Sequence, residues 1–315
     1  MRFGYFLSCE EYTPAQLVEQ AVAAERAGFD ALWISDHYHP WNDEQGESAF
    51  VWGVIGALSQ VTTLPVTTAV TCPTVRIHPA IVAQAAATAA VQLEGRFTLG
   101  VGTGEALNEH VLGDVWPSAE TRLEMLEEAV ELMRALWTGD VVTWDGKHYE
   151  TDTARIYTRP EQAPEVYVSA FGPKALEVAK RIGDGFITMQ PDAESVQEFK
   201  DATGGKDAHG GVKVSWAETE DEGVDIAHRL WANQGLPGEL AQVLPSPQHF
   251  EQASSLVTKE ALAESIVCGP DVERHVQNLQ EYVDAGFDEV YVADMGPHYL
   301  AMIEAYGRDV LPRLR

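Results

Sequence analysis

A chain of 315 residues with 45% hydrophobic content is long enough to form one large α/β barrel or two smaller domains. Its 49 acidic and 21 basic residues, a net charge of −28, argue against a nucleic-acid or anionic-membrane surface, where Lys and Arg must neutralise phosphate. Three scattered cysteines, Cys9, Cys72 and Cys268, suit neither a disulfide framework nor a zinc site. The opening MRFGYFL lacks the character of an export signal, and no segment approaches the ~18 apolar residues of a membrane span, so a cytoplasmic protein without an anchor is expected. Only 7 of the 21 basic residues are lysines, and an acidic, lysine-poor surface suits a salt-tolerant protein, whose self-repulsion salt screens.

Short β-rich apolar runs alternate with segments of helical period, the pattern of βα units around a parallel sheet. Predicted strands cover 2–7, 31–36, 65–70, 97–102, 165–170, 185–189, 212–217 and 288–294. A helix follows the first, with Thr13 as N-cap, Pro14 at its first position and Gly28 as its stop; a second opens at Ser118. Eight strand–helix units predict a single (β/α)8 TIM barrel over 1–315, with functional groups at the C-terminal ends of the strands. An open doubly wound sheet is the alternative, but no G-x-G-x-x-G follows the first strand, and GVGTGEALNE (100–109) comes late and carries Glu105. Two insertions interrupt the repeat. That near 138–164 has an Asp145-Gly146 turn signal and hairpin alternation, and that near 232–258, broken by Pro and Gly, is a candidate lid over the barrel mouth.

SDHYHPW, at the end of the second strand, and Glu105, at the end of the fourth, would converge on that mouth. His37 is a candidate base for a substrate hydroxyl, Glu105 a second acid–base group, and Trp41 a flat wall with an N–H donor. Asp36 points away from His37 and either binds a ligand or caps a helix. His37 and His39 stand two apart, but the remaining histidines lack ligand spacing, so no metal site is expected. No G-x-S-x-G elbow supports a serine hydrolase.

In SDHYHPW, CPTVRIHPAIVAQA, LGVGTGEALNE, ELMRALWTGD and RIGDGFIT the chain resembles the luciferase-like barrel oxidoreductases that use the deazaflavin coenzyme F420. The similarity runs over nearly the whole chain and is closest to the F420-dependent glucose-6-phosphate dehydrogenase group. It implies that His37 is the active-site base, that Trp41 stabilises the reacting complex, that Glu105 protonates the reduced deazaflavin, and that Glu10 holds the histidine. It further implies cofactor contacts at Asp36, Cys72 and Asn108, a non-prolyl cis peptide at Ala69-Val70 behind the cofactor ring, and a backbone phosphate contact over Ser169, Ala170, Phe171 and Gly172. A homodimer is implied as well.

The departure lies in the substrate pocket. Where the sugar-phosphate members carry two lysines and an arginine, this chain has Asp192, Ala241 and Glu264. Acids at those places repel a phosphate dianion, so a neutral alcohol or unphosphorylated sugar is the expected substrate, unless Lys200, Lys206, Lys213 or Lys259 takes over. The alternatives are a sugar-6-phosphate dehydrogenase, an F420H2-dependent reductase, an FMN-dependent luciferase-like monooxygenase and a relative that only binds the cofactor.

Overall fold

All eight expected strands form. In the computed structural model, which describes residues 1–315, they run as β1 (Arg2–Leu7), β2 (Ala31–Ile34), β3 (Val66–Thr68), β4 (Phe97–Val101), β7 (Glu165–Ser169), β8 (Gly185–Thr188), β9 (Ala208–Ser215) and β11 (Glu289–Asp294). The remaining three are the hairpin β5 (Val142–Asp145) and β6 (Glu150–Ala154), and the two-residue β10 (Val267–Cys268). The eight pair in parallel in chain order, and β11 pairs with β1 while β8 pairs with β9. The eight strands therefore close into a (β/α)8 barrel with no open edge among them, which disposes of the doubly wound alternative. β10 pairs with the upper end of β9, above the point where β8 stops.

The local signals act as read. Thr13 and Gln16 form a reciprocal capping box on helix Pro14–Ala27, and Gly28 ends it at φ +92°, its N–H donating to carbonyls of the last turn. Ser118 caps helix Ala119–Trp137 by accepting from the Thr121 N–H. The seventh strand begins at Ala208 rather than at 212. Gly210 and Gly211 weaken a strand by propensity, but here crowding demands them: a Cβ on Gly210 would lie 2.6 Å from the Tyr282 ring, and one on Gly211 2.4 Å from the Met189 sulfur and 2.6 Å from Trp33.

Inside the barrel Trp33 stacks on Tyr291 at 4.2 Å and Phe6 meets Trp33 edge-on at 5.6 Å, with Tyr167, Ile187 and Ala293 filling the same layer. This aromatic plug fills the barrel interior, and Ala69, Val70 and Met189, just past the ends of β3 and β8, pack against it toward the C-terminal mouth. The 232–258 insertion is made of short pieces, a turn at Ala232–Gly235 and helices Leu240–Val243 and Pro247–Ser254. Phe250 and Val257 join Trp231, Leu262 and Ile266 in an apolar cluster that includes Trp41 and Leu107, so the insertion packs against the mouth. No helix is long and apolar enough to cross a membrane.

Candidate active site

Glu10 lies just past β1 and is 3% exposed. One of its oxygens accepts from Ser35 Oγ at 2.5 Å, and the other is 3.5 Å from His37 Nε2. Ser35 Oγ in turn accepts from the Cys9 N–H, so the strand ends of β1 and β2 fix the carboxylate between them. Burial alone would raise the Glu10 pKa, but His37, Lys213 and the Ser35 hydroxyl together hold it below the usual carboxylate range. Glu10 therefore faces His37 as an anion.

Trp41 stands beside His37, ring centres 5.0 Å apart, and is held by Phe250 edge-on at 5.0 Å and by its backbone N–H donating to Gln45 Oε1. Its indole Nε1 is buried without a partner, as are Trp33 Nε1 and Ser8 Oγ. A buried donor left unpaired costs about 1–3 kcal/mol, so the Trp41 indole beside His37 suits a polar ligand at the mouth. Glu105 occupies the N-cap position of the short helix Ala106–Glu109, and its Oε2 is 3.4 Å from Asn108 Nδ2.

Asp36 has a setting that the sequence does not reveal. Its side chain is 0% exposed, with Oδ2 accepting from Thr71 Oγ1 at 2.8 Å and Oδ1 paired to Arg76 at 2.9 Å. No exposed edge is left for the direct cofactor contact expected of it. Arg76 also binds Glu109 through its backbone N–H at 2.7 Å and through Nε at 3.4 Å. Two buried carboxylates on one guanidinium thus tie the loops after β2, β3 and β4 together, and burial raises the Glu109 pKa despite the pairing.

The peptide Ala69-Val70 is cis. It follows β3, and Val70 lies so close to Gly102 that a Cβ there would come within 2.7 Å. Cys72 is buried, its Sγ 2.9 Å from Thr74 Oγ1, with burial pushing its thiol well above the ordinary value; it packs under Gly104. Ser169, Ala170, Phe171 and Gly172 lead from β7 into helix Pro173–Ile182, where Gly172 caps without a side chain, faces open space, and leaves the first-turn N–H groups free for an anion. His39 is turned from His37, its Nδ1 bonding the Leu107 carbonyl at 2.9 Å, and no group of three or more His, Cys, Asp or Glu side chains has the arrangement to hold a metal ion.

Asp192 caps helix Ala193–Thr203, accepting from the Glu194 and Ser195 N–H groups and the Ser195 hydroxyl. Ala241 packs partly buried on the insertion cluster, and Glu264 is exposed on helix Lys259–Ser265. Of the four lysines considered as replacements for the missing cations, Lys200 pairs with Asp288, Lys206 bonds the Gly183 carbonyl and Lys259 pairs with Asp225. Lys213 differs. It rises from the middle of β9 to lie 3.5 Å over the Trp231 ring, and it has no ion pair. Burial pulls it down to about 8 against the opposing pull of Glu10, Glu11 and Glu105. Glu11, accepting from Trp231 Nε1 at 2.6 Å and from the Gly296 N–H, is pushed up to about 7 by burial. An isolated charge in the middle of an apolar strand was the available signal for Lys213; Arg76, Ser35 and Trp231 had none beyond their sequence runs.

A barrel with acid–base groups gathered at the C-terminal ends of its strands has the layout of a (β/α)8 barrel enzyme. The chain belongs to the luciferase-like monooxygenase family, whose model matches residues 1–289. It is 37% identical over 331 residues to the F420-dependent glucose-6-phosphate dehydrogenase of Nakamurella multipartita, an alignment covering 100% of this chain and 97% of that one. The Microbacterium testaceum protein of the same name is 35% identical, with 100% and 98% covered. Among solved structures, an F420-dependent secondary alcohol dehydrogenase in complex with an F420–acetone adduct superposes with a TM-score of 0.92 at 31% identity, covering 100% of this chain and 99% of that one.

Proposed function

We propose that the protein is an F420-dependent dehydrogenase that oxidises a neutral alcohol or an unphosphorylated sugar. The observation that carries the reading is His37 set against the buried Glu10 carboxylate and beside the unpaired Trp41 indole N–H, with Glu105 on the adjoining loop. Likeness to F420-dependent relatives at 31–37% identity supports the cofactor. The residues present suit it: the unpaired Trp41 donor beside His37 matches an oxygen of the reacting pair, and the open first turn after Gly172 matches a phosphate. When bound, F420 supplies a carbon centre that accepts hydride and reacts poorly with oxygen.

The chain's own groups handle the proton and the oxygen. His37 Nε2 takes the hydroxyl proton, and the Glu10 anion stabilises the imidazolium that results. Trp41 Nε1 donates to the substrate oxygen as charge grows on it. Glu105, on the adjoining loop, is placed to hand on the proton that the reduced acceptor needs, and an acid–base pair of this kind favours dehydrogenation over oxygen insertion by a flavin. Glu10, Glu11 and Glu105 crowd Lys213, the one lysine of the four that is free to meet a substrate, which disfavours a phosphate dianion there. Lys213 instead suits a hydroxyl oxygen.

The test is bleaching of oxidised F420 at 420 nm with secondary alcohols, free glucose and glucose 6-phosphate, each at low and molar salt. Turnover with neutral substrates and little with the phosphate supports the reading. Preference for glucose 6-phosphate would replace it with the sugar-phosphate activity, and no turnover at all would favour a reductase. We further propose a homodimer, for which the apolar groove of Phe50, Trp52, Ile77 and Ile81 offers a face; a monomeric mass in light scattering would reject it.

A further inference from the structure

We propose that Asn108 is a positioning residue that selects the tautomer of His37 and makes that choice respond to the ionisation of Glu105. This rests on the assignment of His37 as the base.

Asn108 is 1% exposed, and every polar atom of its amide is engaged by a loop at the mouth. Its Oδ1 accepts from the Tyr38 N–H at 2.9 Å and the His39 N–H at 3.1 Å, so it pins the segment that carries His37. That fixes the amide orientation, because only the oxygen can accept from two N–H groups. Its Nδ2 must then be the atom 3.1 Å from His37 Nδ1 and 3.4 Å from Glu105 Oε2. The same His37 Nδ1 lies 3.2 Å from the His39 carbonyl oxygen.

These two contacts of Nδ1 exclude each other. Asn108 Nδ2 can only donate, which requires a lone pair on Nδ1 and places the ring proton on Nε2, against Glu10. The His39 carbonyl can only accept, which requires a proton on Nδ1 and leaves the Nε2 lone pair free to take a substrate proton. Asn108 thus favours the tautomer that cannot act as base at Nε2, and His39 favours the one that can.

Glu105 Oε2 takes the second N–H of the same amide, so the two contacts coexist and together set where Nδ2 lies between base and acid. Nδ2 stands 3.4 Å from Oε2, and a carboxylate draws an amide N–H into a shorter, stronger bond than a neutral carboxyl does. Shortening that bond draws Nδ2 from Nδ1 and lets Nδ1–H settle on the His39 carbonyl. After turnover the hydroxyl O–H bond has been replaced by Nε2–H on His37, the hydride has gone to the deazaflavin, and Glu105 has given up its proton. Asn108 is then best placed on Glu105, while the imidazolium has Glu10 at Nε2 and His39 at Nδ1. Protonation of the base and ionisation of the acid therefore reinforce each other through one amide. The other groups that bear on His37 are Trp41 on its own loop and Lys213 of β9, which acts through Glu10.

The test is 15N NMR of the full protein labelled at histidine, with the His37 signals assigned by their loss in His37→Gln, alongside pH profiles of kcat/KM and a fluorescence titration of F420 affinity. Asn108→Asp keeps oxygens for the Tyr38 and His39 N–H groups but sets an acceptor opposite Nδ1. It should convert His37 to the Nδ1–H form and move the acid limb of kcat/KM up by about one pH unit, at unchanged F420 affinity. Glu105→Gln should shift the neutral His37 signals toward the Nε2–H form. An unchanged His37 spectrum in Glu105→Gln overturns the proposal, and does so even if Asn108→Asp fails to fold. An unmoved acid limb with weakened F420 binding in Asn108→Asp also overturns it, making Asn108 a cofactor contact. Absence of turnover with every alcohol rejects the dehydrogenase reading but leaves the spectra to decide the tautomer coupling.

Discussion

Replacing Glu10 by Gln removes one charge from the site and almost no volume. The Gln oxygen can still accept from Ser35, so the strand-end geometry should persist. What disappears is the attraction between the carboxylate and the His37 imidazolium across 3.5 Å. At an effective dielectric of 20 that separation corresponds to about 5 kcal/mol, an upper bound, since the Gln dipole and bound water recover part of it. Retaining about 3–4 kcal/mol of the loss in the transition state lowers kcat by roughly 10²–10³-fold. The assay is F420 reduction at 420 nm under saturating cofactor, with F420 affinity measured separately by fluorescence. The affinity should hold, because Glu10 faces the base. A kcat within twofold of the parent protein would refute the reasoning, since the carboxylate would then contribute nothing to the charged histidine.

Arg76→Met leaves Asp36 and Glu109 buried without their cation, and loss of one partner from such a cluster costs about 3–5 kcal/mol, read as a drop in the urea unfolding free energy. A loss below 1 kcal/mol would mean that water reaches these carboxylates. Glu11 gives stability a pH dependence of definite sign. Its folded pKa of about 7 lies above the unfolded value near 4.3, so the folded state holds the extra proton and stability falls as pH rises between them, by up to about 4 kcal/mol. Glu11→Gln should flatten unfolding free energy over that window, and a slope identical to the parent's would reassign the effect.

The barrel was legible because its signals are local. Parallel strands buried on both faces read as apolar runs, Thr13, Pro14 and Gly28 mark a helix by chemistry acting within one turn, and Asp145-Gly146 marks the hairpin. The convergence of His37, Trp41 and Glu105 on one mouth followed from strand order alone. The start of β9 was not legible, because Gly210 and Gly211 are required by rings that arrive from Tyr282 and Trp33. Nor was the use of Asp36, whose partners Thr71 and Arg76 lie 35 and 40 residues away.

By itself the sequence determined which segments form strands and helices, and which residue types stand at the strand ends, since both depend on neighbours a few positions apart. Tertiary structure alone decided which charges are paired. It set Asp36 and Glu109 on Arg76, left Lys213 on an indole without a carboxylate, and placed the Asn108 amide between the base and the acid. A charge or a hydrogen bond is satisfied by whatever closure of the barrel brings within a few ångströms, and no periodicity along the chain records that.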